Sequence, residues 1–97
     1  MIQSFADEAT EDFYNGINSK GARKKLNPSL YSLACRKLDI LDAALHLDDL
    51  KAPPANRLEV LKGSPKGKHS ICINDQYRIV FFWGIHGPEQ VEIIDYP

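Results

Sequence analysis

Nowhere in this 97-residue chain is there an apolar run of about 18 residues, which excludes a membrane-spanning helix of ordinary length. Cysteine is scarce. Cys35 and Cys72 stand far apart and neither belongs to a C-x-x-C pair, so no dithiol redox motif or thiolate metal knuckle is present. His46, His69 and His86 are scattered without metal-ligand spacing, which argues against a zinc site. Met1 to Phe5 lacks the basic region and apolar block of a secretion signal, so the expected compartment is the cytoplasm, where thiols stay reduced. Both cysteines are therefore read as packing residues. Low hydrophobicity and internal repeats are also missing. At 43% hydrophobic and 26% charged residues, the composition is that of a globular chain, expected to form one domain over 1–97.

An excess of charge of one sign is absent too, since the formal net charge is −1. The distribution is far from even. Asp7, Glu8, Glu11 and Asp12 are the only charges in 1–19, whereas 20–37 carries only Lys20, Arg23, Lys24, Lys25, Arg36 and Lys37. Acids return with Asp39, Asp42, Asp48 and Asp49. From 51 to 83, Lys51, Arg57, Lys62, Lys66, Lys68 and Arg78 face only Glu59 and Asp75. Local basic stripes rather than the total decide affinity for phosphate. The 20–25 cluster reads equally well as a phosphate-binding patch or as a solvated face.

Periodicity changes halfway along the chain. Ile2 to Phe5 suits a short strand. Ala6, Ala9, Phe13 and Ile17 recur at helical spacing and predict a helix over about 6–16, followed by a turn between Gly16 and Gly21 that holds the basic cluster. A second helix starts at Asn27 as N-cap and Pro28 as first residue, with Leu26 and Tyr31 as a hydrophobic staple. Its stripe of Leu30, Leu33, Ala34, Leu38, Leu41 and Leu45 is core, and it ends near His46 or Leu47. Beyond Ala52-Pro53-Pro54 the alternation has a period of two. Strands are expected at Arg57–Leu61, His69–Ile73, Tyr77–Trp83 and Gln90–Tyr96, with turns at 63–67, 74–76 and 84–88. The fold class is α+β: two N-terminal helices packed on a small, mostly antiparallel sheet.

In the 77–83 strand Tyr77, Ile79, Phe81 and Trp83 share one face, and Arg78, Val80 and Phe82 the other. Both faces are apolar apart from Arg78. A charge in a central strand must reach solvent or find an anionic partner. Pairing with Asp95 or Glu92 and contact with a phosphate are both open at this point.

The ordered pieces Pro53-Pro54-Ala55-Asn56-Arg57-Leu58-Glu59-Val60-Leu61-Lys62-Gly63, His69-Ser70-Ile71, Asn74-Asp75-Gln76-Tyr77-Arg78-Ile79 and Val91-Glu92-Ile93-Ile94-Asp95-Tyr96 resemble HigB-type toxins of the RelE/ParE superfamily. Met1 to Phe5 and the helix Arg36–Ala44 are similar to the same family, so the resemblance spans the chain. It implies a RelE-like fold and a metal-independent endoribonuclease, without cofactor, that cuts translated mRNA on the ribosome. It also implies a HigA-like helix-turn-helix antitoxin as partner, the pair binding operator DNA through the antitoxin, and no membrane.

Metal-free RNA cleavage uses the ribose 2′-OH against the adjacent phosphate. It needs a base, cationic stabilisation of the phosphorane and an acid for the leaving oxygen. Arg78 suits the cationic task, because its planar fork can hold two phosphate oxygens. Lys62 and Tyr96 join it as candidate catalytic residues, Tyr96 as a proton donor or a stacking platform, with Asp95 beside it. Glu59 is the candidate base, since a carboxyl of ordinary acidity accepts a proton at neutral pH but hardly donates one; pairing with Arg57 or Lys68 is its alternative. Lys66, Lys68, Arg57, Lys24 and Lys25 are the candidate RNA or ribosome contacts. Tyr77 and Trp83 read as core. Family members often carry histidine where Glu59 stands and another after the terminal Asp-Tyr, where this chain has Pro97. Two other functions compete: a ParE-like gyrase inhibitor, and a non-catalytic co-repressor or RNA-binding module.

Overall fold

The computed structural model describes residues 1–61 and 67–95. Helix α1 (Glu8–Tyr14) starts where the Asp7 side chain accepts a hydrogen bond from the Thr10 amide, and Glu8 and Glu11 lie in its favourable first turn. It is shorter than the apolar spacing predicts. The chain leaves α1 through Gly16 at φ +75°, a left-handed conformation suited to glycine.

The basic cluster is not a turn but a helix, α2 (Lys20–Lys25), capped by Ser19, whose hydroxyl accepts from the Ala22 amide at 3.1 Å. The expected pair of N-terminal helices is thus a set of three. The miss has a physical origin: the six residues bury a single side chain, Ala22, so there is no apolar period to read. Packing on α1 and the ion pair of Lys25 with Asp7 supply what propensity alone does not.

Asn27 caps as expected, accepting from the Ser29 amide at 3.0 Å, but Pro28–Leu30 is a 3₁₀ turn and α3 proper is Tyr31–Ala43. The helix stops before His46 because the Asp49 carboxylate accepts from the Leu45 and His46 amides, both at 3.0 Å, and redirects the chain into a 3₁₀ turn over Leu47–Lys51. These amide bonds hold the Asp49 carboxyl below the usual Asp value.

Four strands follow in sheet order β1 (Glu59–Val60), β2 (Lys68–Cys72), β3 (Tyr77–Gly84) and β4 (Gly87–Asp95), each antiparallel to the next. Strand β1 starts later than expected because Arg57 is left-handed, with φ 47° and ψ 57°, outside strand geometry. The β3–β4 turn is tighter than expected, confined to Ile85 and His86. Beside it a side chain at Gly87 would place a Cβ 2.6 Å from the Met1 carbonyl oxygen, so only glycine fits this approach.

Residues 3–6 run parallel along the free edge of β4. The Gln3 amide donates to Pro88 O, Val91 N to Ser4 O and Ala6 N to Val91 O, with Phe5–Val91 the bridge. Farther along that edge the Ile93 amide donates to Thr10 Oγ1 at 3.1 Å. A helix side chain and the N-terminal segment thereby occupy donors that would otherwise invite another strand.

The core lies between the helices and one face of the sheet. Leu38, Leu41, Leu50, Ile71, Ile79 and Phe81 are all fully buried there, and Tyr77 and Trp83 pack against them as expected. No helix among the described residues is long and apolar enough to cross a membrane.

Two stability predictions follow from these contacts. Thr10→Val leaves the Ile93 amide without its acceptor in a buried site and should lower unfolding free energy by about 1–3 kcal/mol in urea titration. For Asp7, burial raises the carboxyl, but bonds from Lys25 and Thr10 outweigh it and hold it below the ordinary 3.8. A depressed folded value stabilises above the unfolded one and is lost as pH falls from 3.8 through the lower folded value. Asp7→Asn should therefore flatten the acid limb of the melting temperature between pH 5 and 2 relative to wild type; parallel limbs would rule out this contribution.

Candidate active site

The sheet face turned away from the helices holds several of the candidate residues. Pleating and register place Glu59, Ser70, Val80 and Glu92 in one row across the four strands, and Cys72, Arg78 and Ile94 in the next. Lys68, Phe82 and Glu89 form a third row, beyond a bulge at Gln90 (φ 51°) that shifts the β3–β4 register.

Arg78 is 8% exposed. Its Nε donates to Ser70 Oγ at 2.7 Å, and its Nη2 donates to the Arg57 carbonyl at 2.6 Å and, more loosely, to the Ser70 carbonyl at 3.4 Å. Neither Asp95 nor Glu92 pairs with it. The nearest carboxylate among the described residues is Glu59, whose Oε2 lies 3.7 Å from Nη2 with its side chain 55% exposed. That distance is an ion pair but not a hydrogen bond. The guanidinium is thus oriented by neutral acceptors and only loosely neutralised. No described residue accepts from Nη1.

Lys68 shares this face, its ammonium 5.7 Å from the centre of the Phe82 ring. It pairs with Phe82, four residues along β3 from Arg78, about 13 Å at strand spacing. Arg57 contributes its carbonyl to Arg78, while the residue itself is exposed. Arg78, Glu59 and Lys68 are therefore brought to one face, together with the Arg57 carbonyl, and Glu92 and Glu89 of β4 share that face.

Of the remaining candidates, those among the described residues are placed elsewhere. Asp95 pairs with Tyr77 and so belongs to the opposite pleat from Arg78; its carboxylate accepts from Gln76 Nε2 at 3.1 Å. Lys24 is exposed on α2 and Lys25 is held by Asp7, on the helical side of the sheet. Lys62, Lys66, Tyr96 and Pro97 lie outside the described residues. Among those described, no three His, Cys, Asp or Glu side chains are grouped so as to hold a metal ion. Cys72 is buried beside Arg78, its thiol donating to the Asn74 carbonyl at 3.0 Å, and Cys35 is half-buried, where burial and Asp39 raise its thiol above the ordinary value. Sequence reasoning missed Ser70, whose signal was its position opposite Val80, next to Arg78 on the same face.

A family model described as the RelE-like toxin of type II toxin-antitoxin system HigB matches residues 3–96. The chain is 45% identical to Toxin HigB-1 of Vibrio cholerae serotype O1 over 84 residues, which cover 86% of this chain and 84% of that protein. It is 34% identical to an uncharacterized protein of Haemophilus influenzae over 79 residues, 81% of this chain and 75% of the other.

The loose Glu59 contact gives a binding prediction. In Glu59→Gln the carboxylate no longer competes with an incoming phosphate for Arg78. Fluorescence anisotropy with a short single-stranded RNA should show about two- to fivefold tighter binding at low salt, the size of an ordinary half-exposed ion pair. The gain should shrink as salt is added. Equal affinities at low salt would show that Glu59 does not guard the guanidinium.

Proposed function

The chain belongs to the HigB-like family of RelE-like toxins of type II toxin-antitoxin systems, and we propose that it blocks translation by cutting mRNA on the ribosome. Arg78 carries this reading: a buried guanidinium, aimed by neutral acceptors, with its one described carboxylate neighbour beyond hydrogen-bond distance. Such a group keeps most of its field for an external anion, and in a site shielded from water that field acts strongly on developing charge.

In the proposed reaction the ribose 2′-OH attacks the adjacent phosphorus. The 2′ proton passes to a base, the P–O5′ bond breaks, and the departing 5′ oxygen takes up a proton. The products are a cyclic 2′,3′-phosphate and a 5′-hydroxyl end, and no metal is required. Arg78 stabilises the phosphorane through Nη1 and through the side of Nη2 that Glu59 now neighbours. Glu59 takes the 2′ proton once a phosphate has displaced it from Arg78. Tyr96 stacks on a base or protonates the leaving oxygen. Asp95, tied to Gln76, fixes the end of β4 from which the chain continues to Tyr96. Lys62, Lys66, Lys68 and Arg57 bind backbone phosphates, while Lys24 and Lys25 would touch the ribosome from the helical side. Neither Glu59 nor Pro97 can supply the neutral-range imidazole that family members often carry. Catalysis then rests on positioning and charge, and the ribosome supplies part of the geometry.

As a type II toxin the chain has an antitoxin. We propose a HigA-like helix-turn-helix protein that neutralises it in the cytoplasm and carries the complex to operator DNA.

The test is 5′-end mapping of mRNA on purified translating ribosomes. Arg78→Ala should lower the cutting rate by at least about 100-fold, the scale of losing one oriented transition-state donor. Arg78→Lys should retain part of it, because an ammonium keeps the charge but not the planar fork. Undiminished cutting by Arg78→Ala would remove this mechanism. Growth arrest with intact mRNA and lost DNA supercoiling would identify a gyrase inhibitor. Overproduction with neither effect would identify a non-catalytic module.

A further inference from the structure

Arg78 is held by groups that are themselves held. Ser70, fully buried, offers its hydroxyl to Nε. The Arg57 carbonyl reaches Nη2 from a residue in the left-handed conformation, at φ 47°, which is strained for a residue with a side chain and persists only when its neighbours impose it.

The Arg57 amide closes the 3₁₀ turn Pro54–Asn56 on the Pro54 carbonyl at 3.1 Å, and the residue just before Arg57 in that turn is Asn56. It is fully buried, and its Nδ2 donates to the Leu50 and Ala52 carbonyls, both at 3.2 Å. Its Oδ1 accepts from Lys37 Nζ at 2.5 Å. Lys37 projects from the middle of α3 and is only 6% exposed, yet among the described residues its ammonium has a neutral amide and no carboxylate as partner. Burying a lysine on such terms is unfavourable, and packing does not require it, since a methionine fills similar volume without a charge.

We propose that Lys37, Asn56 and Ser70 are positioning residues for Arg78. Lys37 and Asn56 anchor the 50–57 segment so that the Arg57 carbonyl fixes Nη2, and Ser70 fixes Nε. The guanidinium is then pre-oriented for a phosphate before RNA arrives. None of the three touches RNA in this arrangement. The catalytic consequence rests on the ribonuclease reading above, whereas the hold on Arg78 does not.

The experiment combines two readouts on Ser70→Ala, Ser70→Thr and Lys37→Met. The first is exchange of the Arg78 Nε–H with water, followed by nitrogen-15 NMR. The second is single-turnover cutting of ribosome-bound mRNA as a function of ribosome concentration. Ser70→Ala should speed Nε–H exchange and lower the maximal rate about tenfold, with the half-saturating ribosome concentration unchanged within about twofold. Ser70→Thr, which keeps the hydroxyl, should restore the rate to within about threefold. Lys37→Met, remote from the guanidinium, should also speed exchange and lower the rate while the sheet stays folded by circular dichroism. Wild-type exchange and rate in folded Ser70→Ala or folded Lys37→Met would overturn the proposal. If Lys37→Met does not fold, the Ser70 pair decides it. If wild type cuts no ribosome-bound mRNA, the ribonuclease reading fails, and the exchange measurement still decides whether these residues hold Arg78.

Discussion

A guanidinium cannot sit on an interior strand of a small sheet unless its donors are taken up, and the surroundings of Arg78 answer that demand. Ser70 is hydrophilic at a position where β2 is otherwise buried, and Arg57 adopts a left-handed conformation so that its carbonyl can serve as an acceptor. A carboxylate placed in direct contact would neutralise the charge more fully. Holding it with a hydroxyl and carbonyls instead leaves the cation oriented but still attractive to phosphate. The same compromise accounts for Glu59, near enough at 3.7 Å to limit the isolated charge and exposed enough to give way.

This demand divides the sheet into two faces with different work. The face toward α1 and α3 is aliphatic and aromatic, and its burial stabilises the domain. The other face combines Arg78, Ser70, Lys68, Phe82 and Glu59. The free edge of β4 is closed by residues 3–6 and by Thr10, which ties the N-terminal segment to the sheet. Asp7 and Lys25 neutralise each other on the helical side, whereas Arg78 and Lys68 lie on the other face with Glu59, Glu89 and Glu92.

Much of the fold was legible in the residues. The change from helical to alternating spacing marks the helix–sheet division, Asn27-Pro28 marks the start of the long helix, and the pleat of 77–83 separates core aromatics from Arg78. The family resemblance, carried by the ordered motifs, agrees with the match over residues 3–96. Helix α2 was not legible, because a six-residue helix with one buried side chain has no period. The early end of α3 was not legible either, since it depends on Asp49 folding back onto two amides.

For the site, the sequence by itself determined that a lone charge interrupts an apolar strand and that arginine's planar fork suits phosphate. Only the tertiary structure decided what that charge meets. Asp95 and Glu92 lie on the neighbouring strand β4 yet do not pair with it, because Asp95 lies on the opposite pleat and Glu92 one row away. Ser70, Asn56 and Lys37 meet the Arg78 network from other elements of the chain. Periodicity reports which side of an element is buried. Hydrogen-bond partners across strands and helices depend on register and on a single left-handed residue, and no local pattern encodes either.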